Sequence, residues 1–139
     1  MDVTNKKVSE FLSSIPRKPF KWGQFDCATF FSLSLNFLTG FDYSPIIEGK
    51  WKTKRQALVF FSKLSFLEFI VVELDIEEVT VESCRSGDLC VFNCGLMHTV
   101  GMVYDNQVAS VVEDVGLTYT PITELSDDII KIVRVIVRG

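Results

Sequence analysis

Histidine is almost absent from this chain: among 139 residues there is one, His98. Any chemistry that needs an imidazole as base, acid or ligand has a single place to find it. A basic stripe is also missing. The 14 Lys and Arg residues are scattered among 18 Asp and Glu, for a formal net charge of -4, so the electrostatic footprint of a nucleic-acid binder is not there and no nucleic-acid partner is expected. Residues 1–10 are polar, include Asp2 and Glu10, and hold no apolar stretch of the length a signal peptide or membrane span demands. Cytoplasmic synthesis without a membrane partner is the expectation. No linker, internal repeat or C-x-x-C knuckle interrupts the chain.

What is present is apolar sequence in quantity. A hydrophobic content of 47% over 139 residues suits one domain, 1–139, with a core large enough to need no disulfide staples. Residues 3–15 place Val8, Phe11, Leu12 and Ile15 at helical spacing, with Thr4 or Asp2 as cap and Pro16 and Pro19 as stop. An irregular loop follows over 20–26. Asp26 is a good N-cap residue for a helix over 27–38, apolar nearly all round and therefore central, which Thr39 and Gly40 end. A loop through Pro45 and Gly49 leads to an amphipathic helix over 53–64, and 66–74 is ambiguous, with its first half read as helix. Beyond Glu82 the pattern changes to short β-rich runs at 89–93, 98–104, 107–112, 117–121 and 129–137, with Asp105-Asn106 as a turn. Helices first and a meander of strands afterwards predict an α+β domain, N-terminal helices packed on an antiparallel sheet.

Two residues carry candidate chemistry. Cys27 directly follows the Asp26 cap, where the positive end of the helix dipole favours a thiolate and free N–H groups can hold an oxyanion. His98 opens a strand expected to pack against that helix, which brings an imidazole towards the thiol. Taken singly, a cysteine on an apolar helix is most often a small buried hydrophobe, and Phe20, Trp22 and Gly23 are by default core aromatics and a turn. Cys84, Cys90, Cys94 and His98 are the right atom types for tetrahedral zinc, but their spacing is wrong and Cys90 lies inside an apolar strand. No metal site and no cofactor are expected.

The order of the segments adds to this. P-F-K-W-G-Q-F-D-C, a helix, R-S-G-D-L-C-V-F and then H-T-V-G-M-V-Y resembles the NlpC-type papain-like cysteine peptidases. The spacing W-G-x-x-D-C, the following F-L-T-G-F-D and the late E-D-V-G-L look like a compact branch found among phage-tail and gene-transfer-agent proteins. The resemblance implies a papain-like fold, Cys27 as nucleophile, His98 as general base and later acid, and Phe20, Trp22, Gly23 and Asp26 as positioning or oxyanion-site residues. Phe20 stands where many relatives carry a tyrosine. It also implies a third polar residue on the strand after His98. Pairing through the Asp105-Asn106 turn puts Ser110 nearest and Gln107 next, neither being the usual residue at that place. The implied activity is hydrolysis of amide bonds in peptidoglycan stem peptides, in association with phage-tail proteins and a virion tail. The alternatives are a tail-assembly or structural protein that keeps the fold without efficient catalysis, and a cysteine acyltransferase or amidase on a non-wall substrate.

Overall fold

Helix α1 (Asn5–Ser14) starts where the Thr4 hydroxyl accepts from the Lys7 amide at 3.2 Å, and Val8 and Leu12 on one face are buried. The structure, a computed structural model, describes residues 4–47, 50–63, 74–95 and 97–136. The second helix, α2 (Cys27–Thr39), is capped by Asp26 and ends at Gly40, whose φ of 80° is the left-handed conformation expected of a helix stop. Its apolar residues lie nearly all round, and the helix is correspondingly central: Phe30, Phe31, Leu35 and Leu38 are all buried. Phe11 of α1 stacks on Phe37 at 4.6 Å between ring centroids, which fixes α1 against α2. Two further helices follow, α3 (Ser44–Ile47) and α4 (Lys54–Lys63).

The strands are β1 (Ile76–Val79), β2 (Leu89–Cys94), β3 (Met97–Tyr104), β4 (Gln107–Val112), β5 (Gly116–Pro121) and β6 (Ile129–Val135), with a short helix, α5 (Ile122–Leu125), before the last. They form an antiparallel sheet in the order β1-β6-β2-β3-β4-β5. The fold is thus mixed α+β, with N-terminal helices against a multi-stranded antiparallel sheet. The β3–β4 hairpin turns on Asp105 and Asn106 at φ 49° and 63°, the left-handed pair that a two-residue turn needs.

Side chains alternate between two covered faces. Leu89, Val91, Val100, Met102, Ala109, Val111 and Val133 join Cys27, Phe30, Phe31 and Leu35 in one cluster, so this is the face on which α2 packs. Cys90, Phe92, Val103, Val108 and Ile132 form a second cluster with Ile122 of α5 on the far side. Burial from both sides explains why L-C-V-F in β2 is a continuous apolar run.

Several expectations shift in detail. His98 is the second residue of β3, not its first, and β2 extends to Cys94. Strand β1, absent from the sequence reading, is an edge strand with adjacent exposed Glu77 and Glu78, so it carries no alternation to detect. The four-residue α3 and α5 are too short to show periodicity. Of 66–74, only Leu74 is among the described residues.

Asp88 explains the G-D pair that precedes β2. Its oxygens take Arg134 Nε and Nη2 of β6, each at 2.9 Å, while Oδ2 also accepts from the Arg85 amide at 2.9 Å. The carboxylate is almost fully buried, so removing it strands a guanidinium in the β2–β6 seam. Asp88→Ala is expected to lower the unfolding free energy by about 3 kcal/mol. Urea denaturation measures this, and an unchanged midpoint would show that the pair adds no net stability.

Candidate functional site

The local structure around Cys27 is built on one carboxylate. Asp26 is fully buried, and its Oδ1 accepts from the amides of Ala28 at 3.0 Å and Thr29 at 2.9 Å. Its Oδ2 accepts from the Gly23 amide and from Trp51 Nε1, both at 2.8 Å. The Thr29 hydroxyl accepts from the Asp26 amide at 2.8 Å, completing a capping box. Upstream, Lys21 and Phe25 exchange backbone hydrogen bonds of 2.8 Å in a tight loop whose Gly23 has φ 80°. A Cβ at Gly23 would run into the Trp51 carbonyl, so glycine is required both for the turn and for the approach.

A cavity of about 140 Å³ opens beside the start of α2, lined by Phe20, Trp22, Cys27, Lys54, Cys94, Gly95, Thr99, Val111, Val112 and Glu113. Its position follows from the sheet. The β3–β4 pairing runs from Tyr104 and Gln107 to Met102 and Ala109 and then stops, although both strands continue. The cavity residues Thr99, Val111 and Val112 lie beyond that stop. Phe20 meets Trp22 edge-on at 4.7 Å. Glu113 at the rim accepts from Trp22 Nε1 at 2.8 Å and from Lys54 Nζ at 2.9 Å, and these bonds hold its carboxyl below the ordinary glutamate value.

The residues singled out from sequence are distributed unevenly about this cavity. Cys27, Phe20 and Trp22 line it; Gly23 and Asp26 shape the loop and helix start behind it. His98 is exposed and is not among the lining residues, and no hydrogen bond joins it to Cys27 among the described residues. Strand alternation nevertheless puts His98 on the face of Val100 and Met102, which pack in the cluster that contains Cys27. Ser110 is buried on the other face: it alternates with Ala109 and Val111, and a Cβ at Gly101 would lie 3.3 Å from its Cβ. Gly101 is therefore the β3 residue nearest Ser110, while neither His98 nor Glu113 is paired between β3 and β4, Glu113 lying in the turn after β4. Thr99, Lys54, Cys94 and Glu113 are among the lining residues that the sequence reading did not place at the site. No local signal in the sequence marks Glu113, which lies in the turn after β4.

The thiol does not behave as the helix position alone suggests. Burial pushes the Cys27 thiol well above its ordinary value, and the Asp26 carboxylate that caps the helix pushes in the same direction. The Cys27 and Ala28 amides pull it down, but by less. Nor are the amides at the helix start open to an oxyanion. Those of Ala28 and Thr29 are turned to Asp26. Among the described residues no group of three metal-ligating side chains comes together, and Cys90 is sealed in the far-face cluster.

The chain belongs to the family described as Domain of unknown function (DUF6950), which matches residues 2–127. No curated protein matches it.

Two results follow from this environment. Asp26→Ala leaves four N–H donors without their acceptor and should cost about 3–5 kcal/mol, read from chemical denaturation; a loss below 1 kcal/mol would mean that the capped loop is not what holds the helix start. The second concerns pH. Cys90, fully buried and desolvated, is pushed up to about 12, and Cys27 is raised as well. Unfolded thiols ionise near 8.5 while these stay protonated in the fold, so the unfolded chain loses protons first. Stability should therefore be intact below about pH 8.5 and fall above it, by about 1.4 kcal/mol per pH unit for each thiol. Cys90→Ala should flatten that slope whatever it does to stability at neutral pH, and an equal slope in variant and wild type would contradict the burial of this thiol.

Proposed function

We propose that the chain is a papain-like cysteine hydrolase that cleaves amide bonds, with Cys27 as nucleophile and His98 as base. The observation that carries this reading is the seat of Cys27. The thiol stands at the first position of the central helix and lines a cavity where two strands of the sheet part. The pairing with His98 is supported by strand alternation, which puts this residue on the α2-facing side of β3 together with Val100 and Met102 of the cluster that contains Cys27. At rest the thiol is protonated. Activation then requires the exposed imidazole to turn over the cavity as substrate enters, a tightening common in sites whose unliganded geometry is loose.

In the reaction His98 takes the Cys27 proton as sulfur attacks the amide carbonyl. The oxyanion is met by the Cys27 N–H, and the imidazolium protonates the departing amine. Water then attacks the thioester as His98 takes its proton, the C–S bond breaks to release the carboxylic acid, and His98 returns the proton to the Cys27 sulfur. The imidazole needs an acceptor on its other nitrogen. Glu113, held at the cavity rim by Trp22 and Lys54, is better placed for that role than Ser110, whose side chain is on the far face. By the resemblance of the segments, the substrate is a peptidoglycan stem peptide and the setting is a phage tail.

A second reading is favoured by a specific pair of observations. The buried, protonated thiol and the imidazole outside the cavity fit a tail-assembly or structural protein that keeps this fold without efficient catalysis. Cleavage of stem-peptide fragments, followed by chromatography, separates the two. The hydrolase reading expects Cys27→Ala to abolish cleavage with the fold retained, and His98→Ala to lower it by about 10²–10⁴-fold. Glu113→Gln should lower it more than Ser110→Ala does. If the wild type cleaves no fragment, even with tail proteins present, the structural reading is the better one.

A further inference from the structure

The mechanism leaves a second cavity thiol unused. Cys94, the last residue of β2, is exposed, and Gly95 beside it turns the chain at φ 63° into β3. Cys94 and Cys27 line the same small cavity, one from the β2–β3 turn and the other from the start of α2. We infer that Cys27 and Cys94 form a thiol pair that low-molecular-weight disulfides convert into a reversible cross-link, closing the cavity. A second sign of proximity is electrostatic: a charge on Cys94 is felt at Cys27 and makes its ionisation harder.

The chemistry assigns different tasks to the two sulfurs. Cys94, exposed to solvent, is the thiol that an incoming disulfide such as oxidised glutathione can reach. Its thiolate attacks one glutathione sulfur, releasing the first glutathione thiolate and leaving a mixed disulfide on Cys94. Cys27 then gives its proton to solvent and attacks the Cys94 sulfur, releasing the second glutathione. Two protein thiols are oxidised, one glutathione disulfide is reduced to two thiols, and no other reactant is needed. The second step is slow because burial disfavours the Cys27 thiolate, and it accelerates as pH rises. The other two cysteines differ: Cys90 is sealed in the far-face cluster, and Cys84 gives its S–H to the Val81 carbonyl at 3.1 Å.

The inference stands apart from the hydrolase reading, because a cross-link forms whether or not the thiol catalyses. The test is to treat the full chain with oxidised glutathione, digest it without reduction and identify the linked peptides by mass spectrometry. A Cys27–Cys94 peptide that disappears with dithiothreitol is expected, and Cys27 should no longer label with iodoacetamide after denaturation without reduction. In Cys94→Ser, at an exposed position and checked for an unchanged thermal melting midpoint, the cross-link should vanish and Cys27 should label after denaturation. Glutathione remaining on Cys94 alone, a Cys84–Cys90 link instead, or four free thiols after treatment would each overturn the inference.

Discussion

The Asp26 carboxylate is the group on which the site depends. Fully buried, it gathers the amides of Gly23, Ala28 and Thr29 and the indole of Trp51, and so ties together the loop over residues 20–25, the start of α2 and the segment ahead of α4. Each of those donors would be costly to bury unpaired. One side chain thereby fixes where Cys27 stands and brings Phe20 and Trp22 to the cavity wall. The same carboxylate works against thiolate formation, so the interaction that places the thiol also holds back its ionisation. An orienting group and a restraint are here the same atoms.

The sheet supplies the other half of the geometry. Because both faces are covered, β2 to β4 are held in the interior, and the β3–β4 hairpin is closed at its turn end and open at the other. The cavity lies at the open end, opposite the start of α2. Gly116, at φ 91°, lets the beginning of β5 approach the Lys18 carbonyl at a distance of 2.6 Å from where its Cβ would sit, which closes the site from the side of the N-terminal loop. Glu113 joins the two walls through Trp22 and Lys54.

Much of this was legible in the sequence where a local rule governs. Thr4 and Asp26 cap helices as their side-chain chemistry dictates, Gly40 stops α2, and Asp105-Asn106 makes the hairpin. The all-round apolarity of 27–38 announced a central helix. What could not be read is what arises between elements. The charge state of Cys27 depends on burial outweighing a favourable helix position, and the helix rule alone points the other way. Ser110 is close to His98 in a rough count along the hairpin, but alternation turns it to the opposite face, and the β3–β4 pairing stops before either residue is reached. Lys54 and Cys94 reach the cavity from elements that the sequence places far from Cys27.

The central claim is that the imidazole of His98 serves the thiol of Cys27 when a peptide is bound. With a single histidine in the chain, the ring resonances are unambiguous, and their chemical shifts by nuclear magnetic resonance report on that meeting directly. The His98 ring signals should move when a stem peptide binds, and that change should be lost in Cys27→Ala although the peptide still binds. Ring signals that are the same with and without bound peptide, in wild type and in Cys27→Ala alike, would contradict the pairing of the two groups.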